Sequence, residues 1–123
     1  MAAQRKRHLS EATLEKLAER FKALSEPMRL RLVYALMDGE KTVSQLVRET
    51  GAMQANVSKH LGILLEAGIL GRRKEGTSAY YRITDETVFE LCDLVCGSIE
   101  DRLASELRNF SPASLAEGRT ARS

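Results

Sequence analysis

The chain has 123 residues, of which 43% are hydrophobic and 29% are charged, a composition typical of one small globular domain. No apolar run approaches the roughly 20 residues that a membrane-spanning helix requires, and the basic segment 1–7 lacks the apolar stretch of a signal peptide. We therefore expect a cytoplasmic protein with no membrane partner.

The charge is unevenly distributed along the chain. Residues 1–82 contain 15 Lys and Arg against 9 Asp and Glu, a net charge of +6, whereas residues 83–123 contain 4 Lys and Arg against 8 Asp and Glu, a net charge of −4. This basic body favours a polyanionic partner, although charges clustered on solvated faces would give the same counts.

Apolar residues at helical spacing predict four helices in the first half of the chain. The first covers about residues 11–24 after an N-cap at Ser10, and the second follows a cap at Ser25. The third begins at Thr42, and the fourth covers about residues 53–67. The residues expected on the buried faces of the second, third and fourth helices are Leu30, Val33, Tyr34, Met37, Val43, Leu46, Val47, Val57, Leu61, Leu64 and Leu65.

The pattern changes after Gly68. Residues 69–74 and 79–83 predict the two arms of a β-hairpin, joined by a small polar turn over residues 75–78. Thr84 is then expected to cap a long final helix. The apolar positions of that helix are Val88, Leu91, Cys92, Val95, Ile99, Leu103 and Leu107.

This order of elements predicts a mainly α winged helix-turn-helix fold, α-α-α-α-β-β-α, that forms a dimer. The final helix carries a longer apolar face than so small a body can cover, so we expect it to pair with a second copy. Leu14, Leu17 and Phe21 of the first helix are expected in the same interface. We divide the chain into a basic flexible N-terminal arm (1–10), the winged helix-turn-helix domain (11–110) and a disordered tail (111–123).

The outer face of the fourth helix carries short polar side chains, so it can enter the roughly 12 Å wide major groove of DNA. Amide groups at Gln54 and Asn56 can pair with adenine edges, Lys59 can reach guanine or phosphate, and Ser58 can bond a phosphate. His60 lies at the boundary between the faces, where it serves packing or contacts a phosphate. The predicted DNA-contacting residues of this helix are Gln54, Ala55, Asn56, Ser58, Lys59 and His60.

The predicted hairpin carries four basic residues, Arg72, Arg73, Lys74 and Arg82. Basic residues on a thin β-wing can reach phosphates or the minor groove beside a recognition helix. Charges of this kind also protect an exposed edge strand from pairing with other chains. Because the hairpin directly follows a helix-turn-helix pattern, the DNA-contacting interpretation is favoured.

Three linked stretches resemble the ArsR/SmtB-type winged-helix transcriptional repressors. They are a second-helix stretch at residues 24–30 (LSEPMRL), a recognition-helix stretch at 54–61 (QANVSKHL) continued at 64–70 (LLEAGIL), and a wing stretch at 72–76 (RRKEG) followed by 80–83 (YYRI). The resemblance covers about residues 11–108, and the order of the three motifs makes it specific. It implies a homodimer, built largely from the first and last helices, that represses from a double-stranded DNA operator and leaves it when an inducer binds.

Two metal sites known in this family are missing from the sequence. Many members bind metals through a Cys-x-Cys pair at the start of the third helix, where this chain has Thr42 and Ser44, whose hydroxyls are poor ligands for soft metals. Other members use His and carboxylates on the last helix, but the two histidines of this chain are His8 and His60. We therefore expect neither of those sites.

Cys92 and Cys96, the two cysteines of the chain, lie four residues apart on the last predicted helix. Two interpretations stay open: they are small buried hydrophobic residues, or they sense arsenite, antimonite or an oxidant through their thiols. Their spacing places the Cβ atoms about 5–6 Å apart, which suits a bridge through a thiophilic ion better than a disulfide, where about 3.5–4.5 Å is needed. The neighbouring acidic residues Glu90 and Asp93 oppose thiolate formation.

Two other classes of function fit the sequence less well than a DNA-binding repressor does. A winged-helix protein-interaction module would need an apolar or acidic surface where the polar helix face and the basic wing stand. An enzyme would need an organised catalytic site, but the sequence has two widely separated histidines, no Gly-rich phosphate loop and no cluster of metal ligands. We therefore expect no enzymatic activity and no certain cofactor.

Overall fold

The computed structural model describes residues 8–109, so the predicted tail and residues 1–7 of the predicted arm lie outside the described residues. Within this range the elements are, in chain order, α1 (Glu11–Leu24), α2 (Pro27–Ala35), β1 (Lys41–Thr42), α3 (Val43–Thr50), α4 (Gln54–Glu66), β2 (Leu70–Glu75), β3 (Ser78–Ile83) and α5 (Glu86–Arg108). A short 3-10 helix, Leu36–Asp38, continues α2. The predicted winged helix-turn-helix order is confirmed, with β1 as an additional strand. Contacts group the described residues into two units, which divide between Phe89 and Glu90.

Local hydrogen bonds start α1 and α3 where the sequence predicts. The Ser10 hydroxyl accepts a hydrogen bond from the Thr13 amide at 3.1 Å. Thr42 and Gln45 form a capping box: the Thr42 hydroxyl accepts from the Gln45 amide at 3.2 Å, and the Gln45 side chain accepts from the Thr42 amide at 2.8 Å. Each bond satisfies an N–H that lacks a partner inside its helix. Gly51 ends α3 with φ of +73°, a conformation that glycine adopts without steric cost.

Two predicted caps are wrong. Ser25 does not cap α2 but donates its hydroxyl back to the Lys22 carbonyl at 2.9 Å, which closes the end of α1. Thr84 likewise donates to the Ile69 carbonyl at 3.3 Å, and the cap of α5 is the Asp85 carboxylate, which accepts from the Thr87 amide at 3.0 Å. A hydroxyl both donates and accepts, so sequence alone left its direction open.

The core of the first unit lies between α2, α3, α4 and the sheet, and α4 contacts α1, α2, α3 and β2. Its fully buried side chains are Leu32, Val33, Leu46, Val57, Leu61, Leu64 and Ile69. The predicted buried faces of α3 and α4 are confirmed at Leu46, Val57, Leu61 and Leu64. The predicted face of α2 is partly wrong, because Leu32 and Leu36 are buried whereas Leu30, Tyr34 and Met37 are only half-buried. Contacts from α2 to α1, α3 and α4 account for this wider buried face.

The three strands form one antiparallel sheet in the order β1-β3-β2. Lys41 pairs with Tyr81 and Thr42 with Tyr80, so the two residues of β1 extend the predicted hairpin to three strands. The hairpin turn has two residues, not the four predicted, and its first residue, Gly76, has φ of +63°. We call β2, β3 and this turn the wing.

The second unit begins inside α5, a helix of 23 residues with a length of about 35 Å. From Glu90 onward this helix carries five exposed large apolar side chains: Leu94, Val95, Ile99, Leu103 and Leu107. Among residues 8–109, no helix is both long enough and apolar enough to span a membrane.

Candidate nucleic-acid interface

The first two turns of α4 bring together five of the predicted DNA-contacting residues. Val57, Leu61 and Leu64 anchor one side of α4 in the core, which leaves the other side in solvent. The exposed residues on these turns are Gln54, Ala55, Asn56, Ser58 and Lys59. This surface combines two amides, a hydroxyl and an ammonium, which are groups that hydrogen-bond base edges and phosphates.

The residue that precedes the first turn of α4 was not among the predicted site residues. Met53 is the N-cap of α4, makes no side-chain capping bond, and is 79% exposed. The first backbone N–H groups of α4 therefore have no side-chain cap from Met53. Such groups, together with the helix dipole, favour a negative charge such as a phosphate.

His60 does not lie on the exposed face of α4. Its side chain is buried, with 7% exposure, and Nδ1 lies 3.0 Å from Nη1 of Arg29 on α2. Burial, followed by the positive charges of Arg29 and Lys59, lowers the pKa of His60 below its usual 6.5, while Glu26 acts in the opposite direction. Of the two interpretations of His60, the structure favours packing, and we omit this residue from the proposed DNA contacts.

The four basic residues of the wing lie on two different faces. Side chains alternate along a strand, and the register pairs Arg73 with Tyr80 and Gly71 with Arg82, so Arg73 and Arg82 share one face. Arg72 and Lys74 share the other face, and both are exposed. Across residues 8–109, neither Arg72 nor Lys74 forms an ion pair. These two cations are the ones most readily available to phosphates.

Arg73 is held by two carboxylates. Its Nε and Nη2 each lie 2.9 Å from Oε1 of Glu40, and its Nη1 lies 2.5 Å from Oε1 of Glu75. The guanidinium also lies over the Tyr80 ring, 4.6 Å from its centroid, and Arg82 Nη1 is 3.9 Å from Oε2 of Glu40. Hydrogen bonding to Glu75, and then to Glu40, raises the pKa of Arg73. We call Arg73, Arg82, Glu40 and Glu75 the wing cluster; their charges cancel.

The sequence gives no hint of the central role of Glu40. It lies 33 residues before Arg73 in the chain, and no spacing rule links a loop carboxylate to a strand at that separation. Its one local cue is a position directly before β1, a strand that the residue pattern does not predict.

The two cysteines lie on α5, in the second unit. Cys92 is buried and Cys96 is half-buried. Burial, with a smaller effect of Cys96, raises the pKa of the Cys92 thiol, because burial disfavours the charged thiolate. Within the part of the chain that the structure describes, no three His, Cys, Asp or Glu side chains gather into a group that could hold a metal ion.

Comparison with known sequences places this chain among transcriptional regulators. The model of the family "Bacterial regulatory protein, arsR family" matches residues 26–71. An HTH-type transcriptional regulator of Methanocaldococcus jannaschii is 43% identical over 82 residues, which are 66% of this chain and 92% of that protein. The arsenical resistance operon repressor of Bacillus subtilis is 38% identical over 76 residues, which cover 61% of this chain and 72% of the repressor.

Solved structures show the same architecture. The crystal structure of the antimony-specific transcriptional repressor AntR superimposes with a TM-score of 0.74 at 29% identity, over 85% of this chain and 96% of AntR. A homodimeric winged helix-turn-helix DNA-binding domain from Mycobacterium bovis has a TM-score of 0.69 at 33% identity, over 80% of this chain and 94% of that domain. Motif order, fold and these identities agree: the chain belongs to the arsR family of winged helix-turn-helix transcriptional regulators.

Proposed function

We propose that this chain is a homodimeric transcriptional repressor that binds a palindromic DNA operator through α4 and the wing. The observation that carries the proposal is the exposed polar side of α4, with an uncapped helix start, in the same unit as a wing with four basic residues. A repressor acts on chromosomal DNA, so the proposal includes a cytoplasmic location and no catalytic role.

In this proposal α4 reads bases and the wing binds the backbone. Gln54 and Asn56 contact base edges, Ser58 and Lys59 contact phosphate or guanine, and Ala55 allows close approach to the groove floor. On the wing, the unpaired cations Arg72 and Lys74 bind phosphates first. Arg73 and Arg82 are available once phosphate replaces the carboxylate of Glu40.

Dimerisation is supported by apolar side chains that face solvent in a single chain. On α1, Leu14, Leu17 and Phe21 are 41–48% exposed, and α5 carries its own exposed apolar series. Solvent-exposed apolar patches of this kind mark protein interfaces. The Mycobacterium bovis domain described above is itself homodimeric. A two-fold axis would place two copies of α4 about one turn of DNA apart, roughly 34–36 Å.

The proposed inducer is a thiophilic metalloid, arsenite or antimonite, bound by Cys92 and Cys96. The supporting observations are the spacing of the two thiols on one helix and the names of two similar proteins, an arsenical resistance operon repressor and an antimony-specific repressor. The chemistry tolerates the raised pKa of Cys92, because two thiols and arsenous acid, As(OH)₃, condense to two As–S bonds and release two waters. The overall condensation therefore consumes no base and produces no net charge.

Mobility shift with DNA from the gene's own promoter region tests the DNA-binding proposal. We expect a retarded band that an excess of unrelated DNA does not remove. A protein-interaction module would show no sequence-selective band, and that result would overturn the proposal.

Release from DNA tests the inducer. Arsenite, antimonite and peroxide are added separately to the complex formed by the wild type, by Cys92→Ser and Cys96→Ser together, and by Ser98→Ala as a matched control on the same helix. We expect arsenite or antimonite to release the wild type and the control but not the double variant. Release by peroxide alone would favour a thiol redox sensor. Unchanged binding of all three proteins would leave the cysteines with a packing role only.

A further inference from the structure

One guanidinium joins three helices in the first unit. From α2, Arg29 donates through Nε to the Ala23 carbonyl at 2.5 Å and through Nη2 to the Lys22 carbonyl at 3.3 Å. These carbonyls belong to the last turn of α1, where the regular helical hydrogen bonds end, and the Lys22 carbonyl also accepts from the amide and the hydroxyl of Ser25. The remaining nitrogen, Nη1, lies 3.0 Å from Nδ1 of His60 on α4. The side chain of Arg29 thus links the end of α1 to the middle of α4.

The direction of the last hydrogen bond follows from chemistry. A guanidinium has five N–H donors and no acceptor, so Nδ1 of His60 must accept and cannot carry a proton. His60 is therefore neutral, with its proton on Nε2. A second proton on Nδ1 would remove the acceptor and set an imidazolium against the guanidinium inside the fold.

The position of His60 makes this bond relevant to DNA reading. It follows Lys59 directly and lies four residues, one helical turn, after Asn56, so both proposed DNA-contacting residues are on the same stretch of α4. The fully buried Leu61 fixes the opposite side of the helix. The bond to Arg29 adds a directional contact, which apolar packing does not supply.

We propose that Arg29 and His60 are positioning residues for operator recognition, and that protonation of His60 uncouples α4 from α1 and α2 and lowers discrimination between operator and other DNA. The inference rests on the proposed DNA-binding function. Phosphate contacts from the wing do not depend on this bond, so total affinity falls less than specificity.

The charged groups around His60 determine the pH range in which it becomes protonated. Arg29 and Glu26 face it from α2 and its N-cap, and Lys59 is its neighbour on α4. A groove of about 370 Å³ next to Arg29 adds Glu19 and Lys22 from α1 and Glu66 from α4. Because burial, Arg29 and Lys59 outweigh Glu26, the pKa of His60 lies below 6.5. The bond is complete above that pH and is lost as the pH falls through the lowered pKa.

The test compares binding to operator and to scrambled DNA by fluorescence anisotropy at about pH 7.5 and about pH 5.5, where histidine titrates. For the wild type we expect the ratio of the two affinities to fall at the lower pH, by at most about tenfold, which is the equivalent of one fully broken hydrogen bond. In His60→Asn the amide oxygen takes the place of Nδ1 and does not titrate. The ratio of operator affinity to scrambled-DNA affinity should therefore be the same at both pH values. His8→Gln removes the other, exposed histidine and should keep the wild-type profile.

Two further variants separate positioning from folding. His60→Leu should show the low ratio at both pH values, and Arg29→Lys should do the same, because an ammonium cannot span the three acceptors in one plane. Circular dichroism identifies any variant that fails to fold, and the comparison of wild type with His60→Asn stands without the other two. A wild-type ratio independent of pH, or a His60→Asn profile identical to wild type, would overturn the inference. Failure of the wild type to bind operator at about pH 7.5 would instead overturn the proposed function.

Discussion

Replacing Glu40 by Gln tests whether the carboxylates of the wing cluster compete with DNA for Arg73. In the structure the carboxylate of Glu40 accepts from Nε and Nη2 of Arg73 at 2.9 Å and lies 3.9 Å from Arg82. It occupies the donors that a DNA phosphate would use. Glutamine has the same shape but no charge, so the wing cluster changes from neutral to +1 in each subunit. We therefore expect Glu40→Gln to bind DNA more tightly than the wild type at low salt.

The expected magnitude follows from counterion release. Each additional phosphate contact changes the slope of log K against log salt by about −0.9 on double-stranded DNA. One freed arginine in each subunit of the dimer makes the slope steeper by about 1.8. Between 200 and 50 mM salt, this difference corresponds to about a 12-fold greater gain in affinity for the variant than for the wild type.

Fluorescence anisotropy across a salt series, with both operator and scrambled DNA, measures this slope. Because the added contact is to phosphate, the slope of log K against log salt should become steeper by the same amount on operator and on scrambled DNA. Glu15→Gln is the matched control, because it makes the same charge change at an exposed residue of α1 that lies outside the proposed DNA-contacting surface. If Glu40→Gln bound more weakly than wild type, Glu40 would be orienting Arg73 for DNA rather than competing with it. Equal slopes for the two variants would also refute the reasoning.

Three further predictions concern base reading, assembly and the core. Asn56→Ala should lose about 1–3 kcal/mol of discrimination at one or two operator positions in a binding-site selection assay, while binding to scrambled DNA stays unchanged. Ile99 is apolar and 54% exposed in the single chain, so Ile99→Glu places a charge in the proposed dimer interface. Light scattering should give a monomer mass for this variant and a dimer mass for Ser98→Glu. Leu46→Ala empties a fully buried site on α3, and urea unfolding should show a loss of about 2–5 kcal/mol.

Local sequence determined the helices of this protein and most of their ends. Ser10 bonds a backbone amide three residues away, and Thr42 and Gln45 cap each other over the same distance. Apolar spacing likewise predicted the buried side of α4, and with it the exposed residues Gln54, Ala55, Asn56, Ser58 and Lys59. These features depend on neighbours within one helical turn, so the residue pattern contains them.

The tertiary structure decided what each side chain does across longer separations. Ser25 and Thr84 could cap the helix that follows or bond the preceding backbone, and packing selected the second arrangement. The contact between Arg29 and His60 spans 31 residues, and the pairing of Glu40 with Arg73 spans 33. No local periodicity encodes such pairs, because their partners meet only after α2, α4 and the sheet have packed. The sequence therefore predicted the exposed surface that we propose to face DNA, whereas only the fold showed that His60 is held inside and that Arg73 already has carboxylate partners.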